Sequence, residues 1–277
     1  MLWAWAAVCL FPIYWLAVAS VTPVEDLARA PAYAPFLDFT PSLAAWRFIL
    51  ADPTENLLWS LLNSLVISAA AALAAVLAAG LAVYGLTRFP VRRRAGRFGV
   101  PLFALMLGMR LVPPVLVALP IHVLAQRTGL LDSRGLLAAV YTAFNLPVAL
   151  LLLLPVFGMR ATPEEESARL DGASHWQTCF GILFPMLRGP LAVTGLVVFL
   201  LCWNEYLFAA YLTLDHAQTL TPWMAGQLSM KEAQAGGDAE ELSHMAAASV
   251  LMALPALALA VAVQGYIRRA VGVRVVR

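Results

Sequence analysis

Hydrophobic positions along the chain gather into six long runs, near residues 2–21, 59–82, 99–121, 136–157, 190–211 and 246–266, parted by polar segments. A helix needs roughly 20 apolar residues to cross about 30 Å of hydrocarbon, so the pattern predicts six membrane-spanning helices. The expected fold is all-α integral membrane, one transmembrane domain over residues 1–277. Prolines interrupt the runs at Pro113, Pro114, Pro120, Pro147, Pro155 and Pro255. A bundle tolerates them where neighbours satisfy the freed carbonyls, and a pore that opens and closes could use the kinks. The first run has no basic lead, and Val21-Thr22-Pro23 is a poor cleavage site, so it reads as a retained helix. Residues 22–56 predict a short amphipathic helix around 41–50. Residues 219–225 are too short to span, and Gly236-Gly237-Asp238 reads as a flexible loop. Small residues dominate from Ala70 to Ala82, with Gly80 and Gly85. Such a face lets helices approach closely, within the chain or against a second subunit.

The polar segment 162–185, between the fourth and fifth runs, has a different pattern. Thr162 is followed three residues later by Glu165, with Pro163 between them, which predicts a capping-box start. Gly172 suits the left-handed residue that ends a helix. Ser174 and Gln177 predict a second capped helix, and Pro185 its end before the next run. Two short ordered helices at the membrane edge make a polar elbow, a way to meet a soluble partner.

Composition supports the membrane reading: 62% of the 277 residues are hydrophobic and 12% charged. Net charge is only +2, but its placement is uneven. Twelve of the 18 basic residues lie between runs two and three (Arg88, Arg92, Arg93, Arg94, Arg97), in the elbow segment (Arg160, Arg169, Arg188) or in the tail (Arg268, Arg269, Arg274, Arg277). The alternate segments hold Arg29, Arg47, Arg127, Arg134 and Lys231. The positive-inside rule puts both termini and the elbow in the cytoplasm. The five-arginine loop reads as an orientation signal and headgroup anchor, with no nucleic-acid partner.

Two ionisable residues lie inside runs, Arg110 in the third and Glu205 in the fifth. Charges in hydrocarbon are costly and mark functional sites when they face the interior. Their depths nearly match, so they could pair to fix the bundle, line one translocation path or gate, or reach an interface. Trp203, Asn204 and Tyr206 flank Glu205. Aromatic faces, amides and carboxylates are groups that bind polyols, and they also hold helices together.

The elbow resembles the cytoplasmic motif of ABC-importer permeases: Glu-Ala-Ala, three residues, Gly, nine residues, Ile-x-Leu-Pro. Here Glu166-Ser167-Ala168 precedes Gly172 by that spacing, and Ile182-Leu183-Phe184-Pro185 follows by the other. Ser167 replaces an Ala and Phe184 a Leu. The run Asp171-Gly172-Ala173-Ser174 resembles the carbohydrate-uptake (maltose-type) branch, as do Asn63-Ser64-Leu65, Pro113-Pro114, Gly129-Leu130-Leu131-Asp132 and Trp203-Asn204-Glu205. The resemblance covers roughly residues 40–268. It implies the six-helix type I importer fold with Glu165, Glu166, Ser167, Ala168, Asp171, Gly172, Ala173, Ile182 and Pro185 coupling the elbow to an ATPase. In that picture Glu166 faces a basic partner residue, and Ile182 and Pro185 pack the second helix onto the bundle. It also implies a second homologous permease, an ABC ATPase dimer, an extracytoplasmic solute-binding protein and a bacterial-type inner membrane.

The chain's one lysine, Lys231, precedes Glu232, so no phosphate-binding Gly-Lys-Ser/Thr loop exists. ATP and Mg would belong to the partner ATPase, with no cofactor in this chain. His122, His175, His216 and His244 lie at run ends or in loops, and Cys9, Cys179 and Cys202 have no metal-ligand spacing. The expected activity is transport, not catalysis: a pore-forming permease subunit for a sugar, polyol or related solute. The alternative is a self-sufficient secondary carrier, which would need coupling-ion sites and usually internal repeats.

Overall fold

The structure is a computed structural model and describes residues 2–29, 33–51, 57–89, 108, 110–158, 162–232 and 238–270. In chain order the helices are α1 (Leu2–Ala19), α2 (Val24–Arg29), α3 (Ala44–Ala51), α4 (Leu57–Arg88), α5 (Pro114–Thr128) and α6 (Arg134–Phe157). There follow α7 (Pro163–Leu170), α8 (His175–Thr178), a π turn at Cys179–Leu183, α9 (Phe184–Met186), α10 (Arg188–Trp203), α11 (Leu207–Leu212), α12 (Leu220–Glu232) and α13 (Asp238–Ala270). Among the described residues, Leu57–Arg88, Arg134–Phe157 and Leu242–Leu259 are long and apolar enough to cross a membrane. The bent pair His175–Met186 and Arg188–Trp203 makes a fourth if taken as one span.

The described chain divides into two units. The first comprises residues 1–63 and 218–258. In it Tyr14 donates to the Tyr33 carbonyl at 2.6 Å, and Ser42 N–H to the Val21 carbonyl at 2.8 Å. Asn63 Nδ2 donates to the Gln218 carbonyl at 2.9 Å. The predicted helix near 41–50 is α3, whose Phe48 stacks on His244 at 4.1 Å.

The second unit comprises residues 64–217 and 259–277 and carries both candidate sites. Ile67, Ala71, Ala75, Ala79 and Val83 recur every fourth residue on α4 and are all 0–1% exposed. This is the inward stripe of a helix whose Leu65, Val66, Leu73 and Leu86 remain exposed. One face of the Ala-rich stretch packs within the chain: at Gly80 an added Cβ would meet the Phe184 ring at 2.9 Å, while Ala70, Ala74, Ala78 and Ala82 on the other face are exposed. On α6, Leu137, Tyr141, Asn145, Ala149, Leu153 and Phe157 form a matching stripe, each no more than 3% exposed. Tyr141 and Asn145 put polar groups into that stripe.

Two runs differ from the continuous spans the hydropathy predicted. The third has a turn at 110–112 before α5, and residues 99–107 of that run lie outside the described residues. Pro114 at the first helical position disfavours helical backbone at Pro113, which has φ −52° and ψ 125°. The fifth run stops at Trp203, turns through Asn204–Tyr206 and resumes as α11. The four basic residues Arg92, Arg93, Arg94 and Arg97 of the expected orientation signal also lie outside the described residues, as do Arg160, Gly236, Gly237, Arg274 and Arg277.

Candidate functional site

The elbow is built by local rules. Thr162 Oγ1 accepts from Glu165 N–H, and Glu165 Oε1 accepts from Thr162 N–H, both at 3.3 Å. Gly172 has φ +85°. Its N–H reaches the Arg169 carbonyl, and Ala173 N–H reaches that of Ala168, the paired bonds of a Schellman end. Ser174 and Gln177 form a second capping box, at 2.8 and 3.3 Å. The chain then widens into the π turn, with Phe184 N–H reaching the Cys179 carbonyl. Pro185 has no N–H, and in a regular helix its ring would crowd the carbonyl four residues back; the wider turn relieves both problems. Helix therefore continues through Pro185 to Met186, and the bend of 79° falls at Leu187. The sequence placed that break at Pro185.

The elbow has two faces. Glu164, Glu166, Ser167, Arg169, Asp171, Gly172, Gln177 and Pro185 are exposed, and Ala168, Ala173 and Ile182 are partly covered. Leu170 is 89% exposed and Trp176 66%, a large apolar tip for an otherwise polar segment. Trp176 stacks on Phe180 at 5.8 Å; Phe180 meets Phe184 edge-on at 5.0 Å, and Phe184 meets Phe157 at 6.3 Å. Thr178, Cys179 and Leu183 are buried and hold the second helix down.

Glu165 is on the other face. Its carboxylate accepts from Arg88 Nε at 2.7 Å and Nη2 at 2.9 Å, with the two side chains 0% and 1% exposed. Arg88 also donates to the Phe157 carbonyl at 2.9 Å and the Gly158 carbonyl at 3.3 Å. Arg88 is thus no headgroup anchor: its guanidinium lies inside the fold, where the fork geometry of arginine suits a carboxylate and two helix-end carbonyls. The sequence signal was an arginine closing the apolar stripe of α4, set apart from the later cluster by Phe89-Pro90.

The two charges inside the runs both bond to α6. Arg110 Nε donates to the Phe144 carbonyl at 3.1 Å, its Nη2 donates to Asn145 Oδ1, and its guanidinium lies 5.0 Å from the centre of the Phe144 ring. Asn145 Nδ2 donates to the Tyr141 carbonyl at 2.9 Å and contacts Cys202 Sγ at 3.3 Å. The Tyr141 hydroxyl donates to Glu205 Oε2 at 2.9 Å. Glu205 also accepts from the N–H groups of Phe208 at 2.9 Å and Ala209 at 3.3 Å, so it caps the start of α11 after the break. Arg110 and Glu205 are therefore tied to neighbouring turns of α6, Arg110 through the Asn145 amide and Glu205 through the Tyr141 hydroxyl. Asn204 and Tyr206 are exposed, while Trp203 is 2% exposed and stacks on Phe199 at 5.8 Å. Tyr141 and Asn145, polar residues four apart in an apolar run, are the sequence signal for these contacts.

A third constellation fixes the far ends of α5, α6 and α11. Asp132, at φ +62°, accepts from the N–H groups of Leu214, Asp215, His216 and Ala217 at 2.8–3.2 Å. Its own N–H reaches the Leu212 carbonyl. Burial disfavours the charge, but the four donors outweigh it and hold the Asp132 carboxyl below its usual range.

The chain has known relatives. Residues 86–273 match the family described as binding-protein-dependent transport system inner membrane component. The chain belongs to that family. It is similar to the trehalose/maltose transport system permease protein MalG of Thermococcus litoralis, 28% identical over 95% of this chain and 89% of the relative. The maltodextrin transport system permease protein MdxG of Bacillus subtilis is 31% identical over 79% of this chain and 75% of its own. One chain of a bacterial ABC transporter involved in import of the acidic polysaccharide alginate superposes with TM-score 0.73, covering 96% of this chain and 93% of that one, at 19% identity. This last likeness concerns the fold. Membership makes the chain a membrane-embedded transport component, and among the described residues no cluster suited to a metal ion occurs.

Proposed function

We propose that this chain is the pore-forming permease subunit of an ATP-driven importer for a sugar, an oligosaccharide or a related polyol. It crosses the inner membrane six times with both termini and the elbow in the cytoplasm. It works beside a second homologous permease, an ABC ATPase dimer that binds ATP and Mg, and an extracytoplasmic solute-binding protein. The observation that carries this reading is the two-faced elbow. Leu170, Trp176 and Phe180 stand exposed on short helices whose caps and turn leave little freedom. Exposed apolar side chains rimmed by charge make a docking surface, and Glu166, Ser167, Asp171 and Gly172 form the polar rim. Ala168, Ala173 and Ile182 support it from the partly covered side. Closure of the ATPases would push this tip and rock the spans between inward-facing and outward-facing states. Arg110, Asn204, Glu205 and Tyr206 line the path or its gate, and Trp203 backs them. Sugar as the solute rests on the relatives' trehalose, maltose and maltodextrin transport.

The test is uptake of radiolabelled maltose, trehalose, maltodextrin and raffinose by cells lacking this chain and by cells with it restored. Restored, ATP-dependent accumulation of at least one sugar is expected, together with co-purification of the ATPase. Uptake that survives ATP depletion points to a self-sufficient carrier and contradicts the proposal. Co-purification without accumulation of any member of the panel contradicts the solute class.

A further inference from the structure

Side chains on an elbow that only docks should face outward, yet Glu165 is wholly buried and spends its carboxylate on Arg88. Arg88 is the last residue of α4, and the carbonyls it holds, Phe157 and Gly158, end α6. One guanidinium thus joins three elements: the start of the elbow, the end of α4 and the end of α6. All of its bonds are directional: two go to the Glu165 carboxylate and one each to the Phe157 and Gly158 carbonyls. Charge neutralisation alone would need neither the two carbonyls nor the two-pronged contact.

An independent contact runs parallel to this one. The aromatic series Trp176, Phe180, Phe184 begins at the exposed tip and ends with Phe184 against Gly80 of α4 and Phe157 of α6. The elbow is therefore fastened to the same two helices at both of its ends. At the second helix the fastening is mainly aromatic, with one hydrogen-bond contact, 3.3 Å, between the Tyr84 hydroxyl of α4 and the His175 ring. At the first it is an ion pair that fixes distance and direction.

We propose that Arg88 and Glu165 are positioning residues for energy coupling: a three-way joint that makes the elbow, α4 and α6 move as one body. A displacement imposed on the exposed face then reaches the spans instead of bending the elbow. The proposal rests on the elbow being the ATPase contact, and the experiment separates failure of the two ideas.

The complex is purified with its ATPase and second permease, in a background where Cys9 is Ser and Leu130 is Cys. The reporter lies on the loop between α5 and α6, the far end of α6 from the joint. Three quantities are read: ATPase co-purification, ATP hydrolysis, and the change in maleimide labelling of the reporter on trapping with ATP and vanadate. In the parent, trapping should change the labelling rate at least about fivefold. Arg88→Lys keeps the charge but not the fork, and Glu165→Gln keeps the shape but not the charge. Both should retain the ATPase and hydrolysis while the labelling response falls below about twofold. The double variant Arg88→Met with Glu165→Met replaces the pair by apolar side chains, a change that buried ion pairs often tolerate in stability. It should assemble and remain uncoupled. A parent-like labelling response in the assembled double variant would reduce the pair to a structural anchor and overturn the proposal. So would a parent-like response in either single variant. Loss of ATPase attachment in a folded Glu165→Gln chain would show that Glu165 meets the ATPase directly, and would overturn it as well. If the parent itself retains no ATPase, the docking reading fails rather than the joint.

Discussion

The elbow at 162–186 and the polar cluster around Asn145 use the same kinds of residue, yet one is written locally and the other is not. Every bond that shapes the elbow joins residues three to five apart: Thr162 with Glu165, Ala168 with Ala173, Ser174 with Gln177, Cys179 with Phe184. The polar cluster joins Arg110 to Asn145, Asn145 to Cys202 and Tyr141 to Glu205, separations of 35, 57 and 64 residues. A short-range device can be read from spacing because helix geometry fixes the distance. A long-range one depends on which helix faces pack, and that is settled by the whole apolar stripe. The elbow also contains the exception. Glu165 belongs to its own capping box and, 77 residues away, to Arg88. That second role was invisible in the spacing.

The largest expected effect separates adjacent glutamate environments. Arg88→Ala strands a buried carboxylate and two carbonyls, and should cost about 3–5 kcal/mol. Glu166→Ala, on the exposed face, should stay within about 0.5 kcal/mol. Thermal unfolding of the purified chain in detergent checks both, and similar losses would erase the distinction between the two faces. Next comes Asn145→Leu, which removes the shared partner of Arg110 and Cys202 and should cost about 2–3 kcal/mol. The double-mutant cycle with Tyr141→Phe should be non-additive, since the two residues are one turn apart on the same buried stripe of α6; additivity would mean that the two sites are independent.

Asp132 sharpens the comparison because it is long-range yet exposed enough to titrate. Its folded pKa lies below the ordinary aspartate value. The carboxylate therefore contributes stability above the unfolded pKa of about 3.9, and this is lost as pH falls through the lower folded value. Asp132→Asn should destabilise by about 1–2 kcal/mol near neutral pH. The gap to the parent should close as pH falls below about 4, through the lowered folded-state value. A gap independent of pH would show that the charge is immaterial to the backbone contacts. Comparable in stability is Gly172→Val, whose left-handed turn should cost about 1–2 kcal/mol. Its larger consequence is functional, because the exposed tip is re-aimed. Full ATPase attachment by this variant would count against a fixed elbow.

What was legible in the sequence follows the same division. The apolar runs of α4 and α6, the capped elbow and the left-handed Gly172 were all written in periodicity or cap chemistry. The interruptions of the third and fifth runs were harder. Hydropathy averages over about a turn or more of helix, so it does not register a turn at 110–112 or 204–206 that is flanked on both sides by apolar residues. Trp203-Asn204-Glu205-Tyr206 read as one cluster by proximity in sequence. The break sends its members apart: Trp203 into the core, Glu205 onto the start of α11, Asn204 and Tyr206 outward. Burial also divides the arginines: Arg88 belongs to the core, although by sequence it joined a basic loop.

The central claim is that the elbow holds with one face and docks with the other, and two neighbouring residues test it directly. Glu165→Gln and Glu166→Gln are compared in the same purified chain, with thermal midpoint in detergent and affinity for the cognate ATPase measured for each. Glu165→Gln should lower the midpoint and leave the affinity within about twofold. Glu166→Gln should leave the midpoint unchanged and weaken the affinity about fivefold or more. The reverse pattern, or equal effects of the two changes on both measurements, would contradict the account.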